Sequence, residues 1–124
     1  MTAGHGVDLI EVARIKKALQ RFGERFLNRV FDPKEIASAR QFKDPSQYLA
    51  SRFAAKEAFA KAVGTGFVGF APRDVAVLRE AGTPPRFEFS QRLLEKFPGL
   101  NPEKFILSIS HVKETALASV IRLA

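Results

Sequence analysis

The 124-residue chain has no cysteine and no tryptophan, and only one tyrosine and one methionine. Without cysteine there can be no disulfide framework, no thiolate nucleophile and no Cys-ligated zinc or iron–sulfur site, and a reducing, cytoplasmic setting fits. Its two histidines, His5 and His111, stand far apart; they give poor support to a zinc site, and no Ser/His/acid triad can be argued from spacing. No apolar run approaches the roughly 20 residues that span a bilayer, and Met1 to Gly6 lack the basic start and apolar stretch of a signal peptide, so no membrane partner is expected. Repeats, low-complexity tracts and Pro/Ser-rich linkers are also missing, and apolar residues are spread along the whole length. One domain over 1–124 is the expectation, with 46% hydrophobic residues, 12 of them Phe, to build its core.

Acid is scarce relative to base, with 13 Asp+Glu against 20 Lys+Arg and a net charge of +7. This balance predicts attraction to something acidic: nucleic acid, anionic lipid, a polyphosphate cofactor or an acidic protein. A small basic nucleic-acid-binding module is one alternative. Against it, the chain shows no helix-turn-helix or zinc-finger spacing and no RNA-binding aromatic signature.

Hydrophobic spacing gives the elements. Gly6-Val7-Asp8-Leu9-Ile10 reads as a strand, and Ile15, Leu19, Phe22 and Phe26 as the apolar stripe of a helix broken near Gly23. Asp44-Pro45 offers an N-cap followed by Pro at the first helical position, and the chain then runs without a breaker to Gly64-Thr65-Gly66, which predicts the longest helix. Strands are predicted at 75–78, 86–89, 105–111 and 115–123, with a short helix over 91–97. The fold class expected is α+β, a mainly antiparallel sheet packed on one long helix.

Three places could carry chemistry. Asp8 is a carboxylate in an otherwise apolar strand, where such residues are disfavoured; it is an edge-strand residue, a helix-capping acid or a metal ligand. On the long helix Leu49, Phe53, Ala60 and Val63 form one stripe and Ser51, Ala54, Ala55, Ala58 and Ala62 an opposite, small one, which suggests a helix buried or at a subunit contact. Glu57 and Lys61 are spaced as an ordinary intrahelical ion pair. Arg52, Lys56 and Lys61 around one carboxylate equally suit a phosphate with a divalent cation. Gly64-Thr65-Gly66 follows a helix rather than opening one, so it reads as a C-cap and not as a phosphate loop. His111 ends an apolar strand face and reads, by itself, as a satisfied core histidine. On the first helix Arg14, Lys17, Arg21 and Arg25 share a side with no acid among them, either a solvated face or one selected by an acidic partner.

Together these segments resemble a known family. Gly4-His5-Gly6-Val7-Asp8-Leu9-Ile10-Glu11 with Arg14-Ile15, then Arg52 to Ala62 running into Gly64-Thr65-Gly66, then Ser108-Ile109-Ser110-His111, are similar to the holo-acyl-carrier-protein synthases. Lys-Glu-Ala-Phe-x-Lys at 56–61 is the most specific of these blocks. The resemblance implies a 4′-phosphopantetheinyl transferase fold and transfer of phosphopantetheine from coenzyme A to a serine of acyl carrier protein, releasing adenosine 3′,5′-bisphosphate, in support of fatty acid biosynthesis. It also implies a homotrimer with active sites between subunits. Asp8 and Glu57 match the family's Mg²⁺ ligands, and Lys61 matches the lysine that contacts the transferred phosphate, which makes Glu57 and Lys61 the catalytic pair. Arg52, Lys56 and His111 match positions near the coenzyme A nucleotide, and Arg14, Arg21 and Arg25 are the expected docking face for acyl carrier protein. Phe31-Asp32-Pro33-Lys34-Glu35 and Gly82-Thr83-Pro84-Pro85 depart from the family's usual stretches.

Overall fold

The computed structural model describes residues 1–124. Strand β1 (Thr2–Glu11) leads into helices α1 (Val12–Phe22), α2 (Glu24–Val30), α3 (Pro33–Ala39) and the long α4 (Ser46–Val63). Then come β2 (Val75–Leu78), β3 (Arg86–Phe89), α5 (Gln91–Lys96), β4 (Phe105–His111) and β5 (Thr115–Leu123). Every strand pairing is antiparallel, as expected, but there are two sheets where the sequence reading anticipated one: β1-β5-β4, and the separate hairpin β2-β3.

Helix α4 lies on the three-stranded sheet, and small residues set how closely. Gly4, Gly6, Asp8 and Ile10 alternate onto one face of β1, which packs on α4. A methyl group at Gly6 would collide with the Ala58 carbonyl, and one at Gly4 with that of Ala62, so only glycine lets the two backbones meet. Ala54, Ala55, Ala58 and Ala62 of α4 are buried, as are Ala116 and Ala118 of β5. The small stripe is therefore consumed inside the chain, and its reading as a subunit contact is corrected: alanine and glycine are required there by a close helix–sheet contact.

The helix ends obey local chemistry. Ser46 opens α4 one residue later than predicted, with Pro45 just outside and the Asp44 carboxylate accepting from the Ser46 backbone N–H at 3.0 Å. Gly64 closes it in the left-handed conformation (φ 86°), as the C-cap reading required. Gly23 (φ 54°) separates α1 from α2, so the stripe changes phase there: Ile15 and Leu27 are buried, whereas Phe22 is 47% exposed. On the opposite flank of α4, Phe59 is fully buried and its ring lies 4.9–5.9 Å from those of Phe70, Phe87, Phe89 and Phe105, which locks the β2-β3 hairpin to the helix.

Candidate active site

Asp8 sits on the α4 face of an edge strand, and the α4 turn carrying Glu57 and Lys61 passes over it. The Lys61 ammonium donates to the Val7 carbonyl at 2.9 Å and lies 3.3 Å from the Asp8 carboxylate, so its ion-pair partner is on the strand and not Glu57. Glu57 is half-buried, and its carboxyl is pushed above the usual glutamate range, first by burial and then by the charge of Asp8, with Lys61 opposing. Two carboxylates close enough to repel, with one ammonium beside them, form a hard-oxygen donor set for a divalent cation. The fit is partial, because no group of three or more His, Asp or Glu side chains is assembled to enclose an ion; two carboxylates leave the remaining positions to substrate oxygens and water.

Arg52 and His111 meet elsewhere. His111 is exposed and not a core histidine: β4 is the second edge of the sheet, and its last residue projects past the helix. With Arg52, Tyr48, Phe42 and Arg79 it lines a cavity of about 400 Å³, together with Asp44 and Glu80, which are paired with Lys16 and Arg86. The Arg52 guanidinium lies over the Tyr48 ring at 4.1 Å, Phe42 stacks on Tyr48 at 5.4 Å, and the Arg52 Nε, though buried, has no hydrogen-bond partner. A buried, unused N–H beside an aromatic stack and a second arginine suits a ligand with a flat ring and anionic oxygens. Tyr48 and Arg79 escaped the sequence reading. The only tyrosine standing four residues before Arg52 on a predicted helix was the available signal for the first; nothing local marks the second.

Lys56 is corrected. It is fully buried, and its ammonium bonds the Glu35 carboxylate at 2.7 Å and the carbonyls of Val75 and Pro72 at 2.7 and 3.0 Å. Glu35, also fully buried, accepts from the Asp32 and Val77 backbone N–H groups as well. Lys56 thus faces the hydrophobic core and not the cleft where it was expected. The expected crowd of three cations around Glu57 does not form: one reaches the strand, one the core and one the aromatic cleft.

The model of the 4′-phosphopantetheinyl transferase superfamily matches residues 4–116. The chain belongs to that superfamily. Among its relatives, the holo-[acyl-carrier-protein] synthase of Koribacter versatilis (strain Ellin345) is 42% identical over 122 residues, covering 98% of each chain. The crystal structure of the enzyme of that name from Neisseria meningitidis superposes with a TM-score of 0.87 at 38% identity, over all of both chains. The Helicobacter pylori holo-[acyl-carrier-protein] synthase, solved in complex with coenzyme A, superposes with a TM-score of 0.80 at 30% identity, over 95% of this chain and 98% of that one.

In this phosphopantetheinyl transferase Arg14, Arg21 and Arg25 are all exposed, the first two on α1 and the third on α2. None enters an ion pair with an acid of the chain; Arg21 instead lies over the exposed Phe22 ring at 5.2 Å. No helix is long and apolar enough to cross a membrane.

Proposed function

We propose that this chain transfers the 4′-phosphopantetheine group of coenzyme A to a serine of apo-acyl carrier protein, giving holo-acyl carrier protein and adenosine 3′,5′-bisphosphate. The observation that carries the reading is the meeting of Asp8, Glu57 and Lys61 across β1 and α4, in a chain whose relatives are holo-[acyl-carrier-protein] synthases. Asp8 and Glu57 would hold Mg²⁺, which when bound draws negative charge off the pyrophosphate. Glu57 is placed to accept the serine proton as the new O–P bond forms and the bond to adenosine 3′,5′-bisphosphate breaks. Lys61, more than half exposed and held only by acceptors on β1, turns its ammonium to the transferred phosphate. Arg52, Arg79 and His111 take the nucleotide, with Tyr48 against its base.

Two features support a trimer with shared sites. Asp8 belongs to one edge strand and His111 to the other, and Arg52 and Glu57 lie about 140° apart around α4, so the acid cluster and the nucleotide cleft occupy opposite flanks of one copy. Laying the β1 edge of one copy beside the β4 edge of the next would join them. The sheet face away from α4 exposes Val7, Leu9, Ile106 and Leu117, an apolar surface for such contacts.

Incubation with apo-acyl carrier protein, coenzyme A and Mg²⁺, followed by intact-mass measurement, should show the phosphopantetheine adduct on the carrier; an unmodified carrier would overturn the assignment. Mixing inactive Glu57→Gln and His111→Ala chains should restore part of the activity if each site draws on two copies.

The exposed basic face is the proposed docking surface for the acidic carrier. The double change Arg14→Glu and Arg21→Glu should raise KM for the carrier about tenfold at low ionic strength, with KM for coenzyme A unchanged. Unchanged carrier kinetics would reduce the stripe to a solvated face.

A further inference from the structure

Alternate residues of β5 carry Ala116, Ala118 and Val120 into the core, and the next in that row is Arg122. The first three are fully buried. The fourth places a half-buried guanidinium at the end of an apolar row, and it enters none of the chain's ion pairs. A charge drawn part-way out of water without a counter-ion is costly and marks a place where an anion would be stabilised.

Beside it lies a cavity of about 360 Å³ walled by Phe59, Val63, Phe70, Phe97 and Leu100. Phe70 stands edge-on to Phe59 at 5.9 Å and to Phe97 at 6.2 Å, so interlocked rings hold the wall open. The space opens to solvent, but six of its nine lining residues are hydrophobic and offer water few partners, so an apolar chain that displaces that water is favoured. A second cavity of about 290 Å³ shares Gly99, Leu100 and Arg122 with the first and adds Lys104. The guanidinium thus lies on both cavities, and no acidic side chain lines either one.

We infer that this cavity binds a free medium-chain fatty carboxylate, its alkyl chain among Phe59, Phe70 and Phe97 and its carboxylate on Arg122. One planar guanidinium receives both oxygens of a carboxylate side by side, and it is the only cation lining the apolar cavity, Lys104 belonging to the second one. The volume lies at the lower end for ligand sites and admits one chain, not a two-tailed lipid. Phe59 and Val63 look out from the other side of α4 than Lys61, so the site is separate from the acid cluster and does not rest on phosphopantetheine transfer.

Calorimetric titration of the full chain, without coenzyme A or carrier, tests it with hexanoate, octanoate, decanoate, decanol and decylamine. Decanoate should bind once per chain and roughly tenfold tighter than octanoate, which in turn exceeds hexanoate by a similar factor. Decylamine should not bind. Arg122→Gln should weaken decanoate at least about tenfold while leaving decanol unchanged, and Leu100→Trp, which fills the cavity, should remove both. Should that last variant fail to fold, amide shifts under decanoate confined to the surroundings of Thr65, Gly99 and Arg122 in the unaltered chain carry the same weight. Equal affinity for hexanoate and decanoate, binding of decylamine as tight as decanoate, or no effect of Arg122→Gln would overturn the inference.

Discussion

Asp8→Asn and Glu57→Gln should each lower phosphopantetheine transfer by about a hundredfold or more, with the fold intact by circular dichroism. Either change keeps the size of the side chain and removes one anionic oxygen donor. Because the two acids repel and only Lys61 offsets them, the variants should differ in stability. Glu57→Gln removes a half-buried charge that the fold disfavours, so the metal-free variant should melt above the parent chain. Asp8→Asn relieves the same repulsion but also forfeits the Lys61 contact, so its melting point should stay close to the parent's. The pH dependence follows in sign: the folded chain holds the Glu57 proton more tightly than the unfolded chain does, so this group adds stability as pH falls toward its raised pKa. Near-parental turnover of either variant at low Mg²⁺ would remove it from the ligand set.

The largest loss of stability should come from Lys56→Met. The change leaves the Glu35 carboxylate buried with two backbone N–H groups and no cation, which should cost about 3–5 kcal/mol, or a Tm lowered by roughly 10–20 °C. Burial already pushes the Glu35 carboxyl up against the pull of Lys56, and without the ammonium it rises further. A folded-state pKa above the unfolded one means stability lost as pH rises, so the deficit of Lys56→Met should shrink on acidification from neutrality. Adding Glu35→Gln should return part of the loss, and urea unfolding of the four chains closes the cycle. Because Val77 and Val75 bond this pair and Arg79 follows on the same segment, the single variant should also raise KM for coenzyme A more than it lowers kcat. A loss below about 1 kcal/mol would mean that the pair is neutral to the fold.

What the sequence could and could not disclose follows from the range of the forces involved. Strands, the long helix and its glycine end were legible because alternation, 3.6-residue spacing and left-handed glycine are local properties. Asp8 was legible as an anomaly, a charge where the strand wanted carbon. The destination of Lys56 was not. Spacing on α4 placed it beside Glu57, while the partner that draws it inward is 21 residues upstream on α3. A trace of that partner was present, since Asp32-Pro33-Lys34-Glu35 has the spacing of a capping box, which the structure forms with Glu35 accepting from the Asp32 backbone N–H at 2.9 Å. The small stripe of α4 left burial and a subunit contact both open for the same reason: alanine records close approach without saying to what. Division into two sheets was illegible because strand partners are chosen by tertiary packing.

The placement of Tyr48 has a spectroscopic consequence. With no tryptophan and no second tyrosine in 124 residues, fluorescence of this chain excited beyond the phenylalanine absorption band arises from one ring. That ring lies beneath the Arg52 guanidinium, against Phe42, in the wall of the cleft that also holds His111. A molecule entering the cleft must alter the polarity and the quenchers around it, and with phenylalanine left unexcited no other side chain of the chain contributes background. The unlabelled protein therefore carries its own optical reporter of cleft occupancy, readable by titration of tyrosine emission alone.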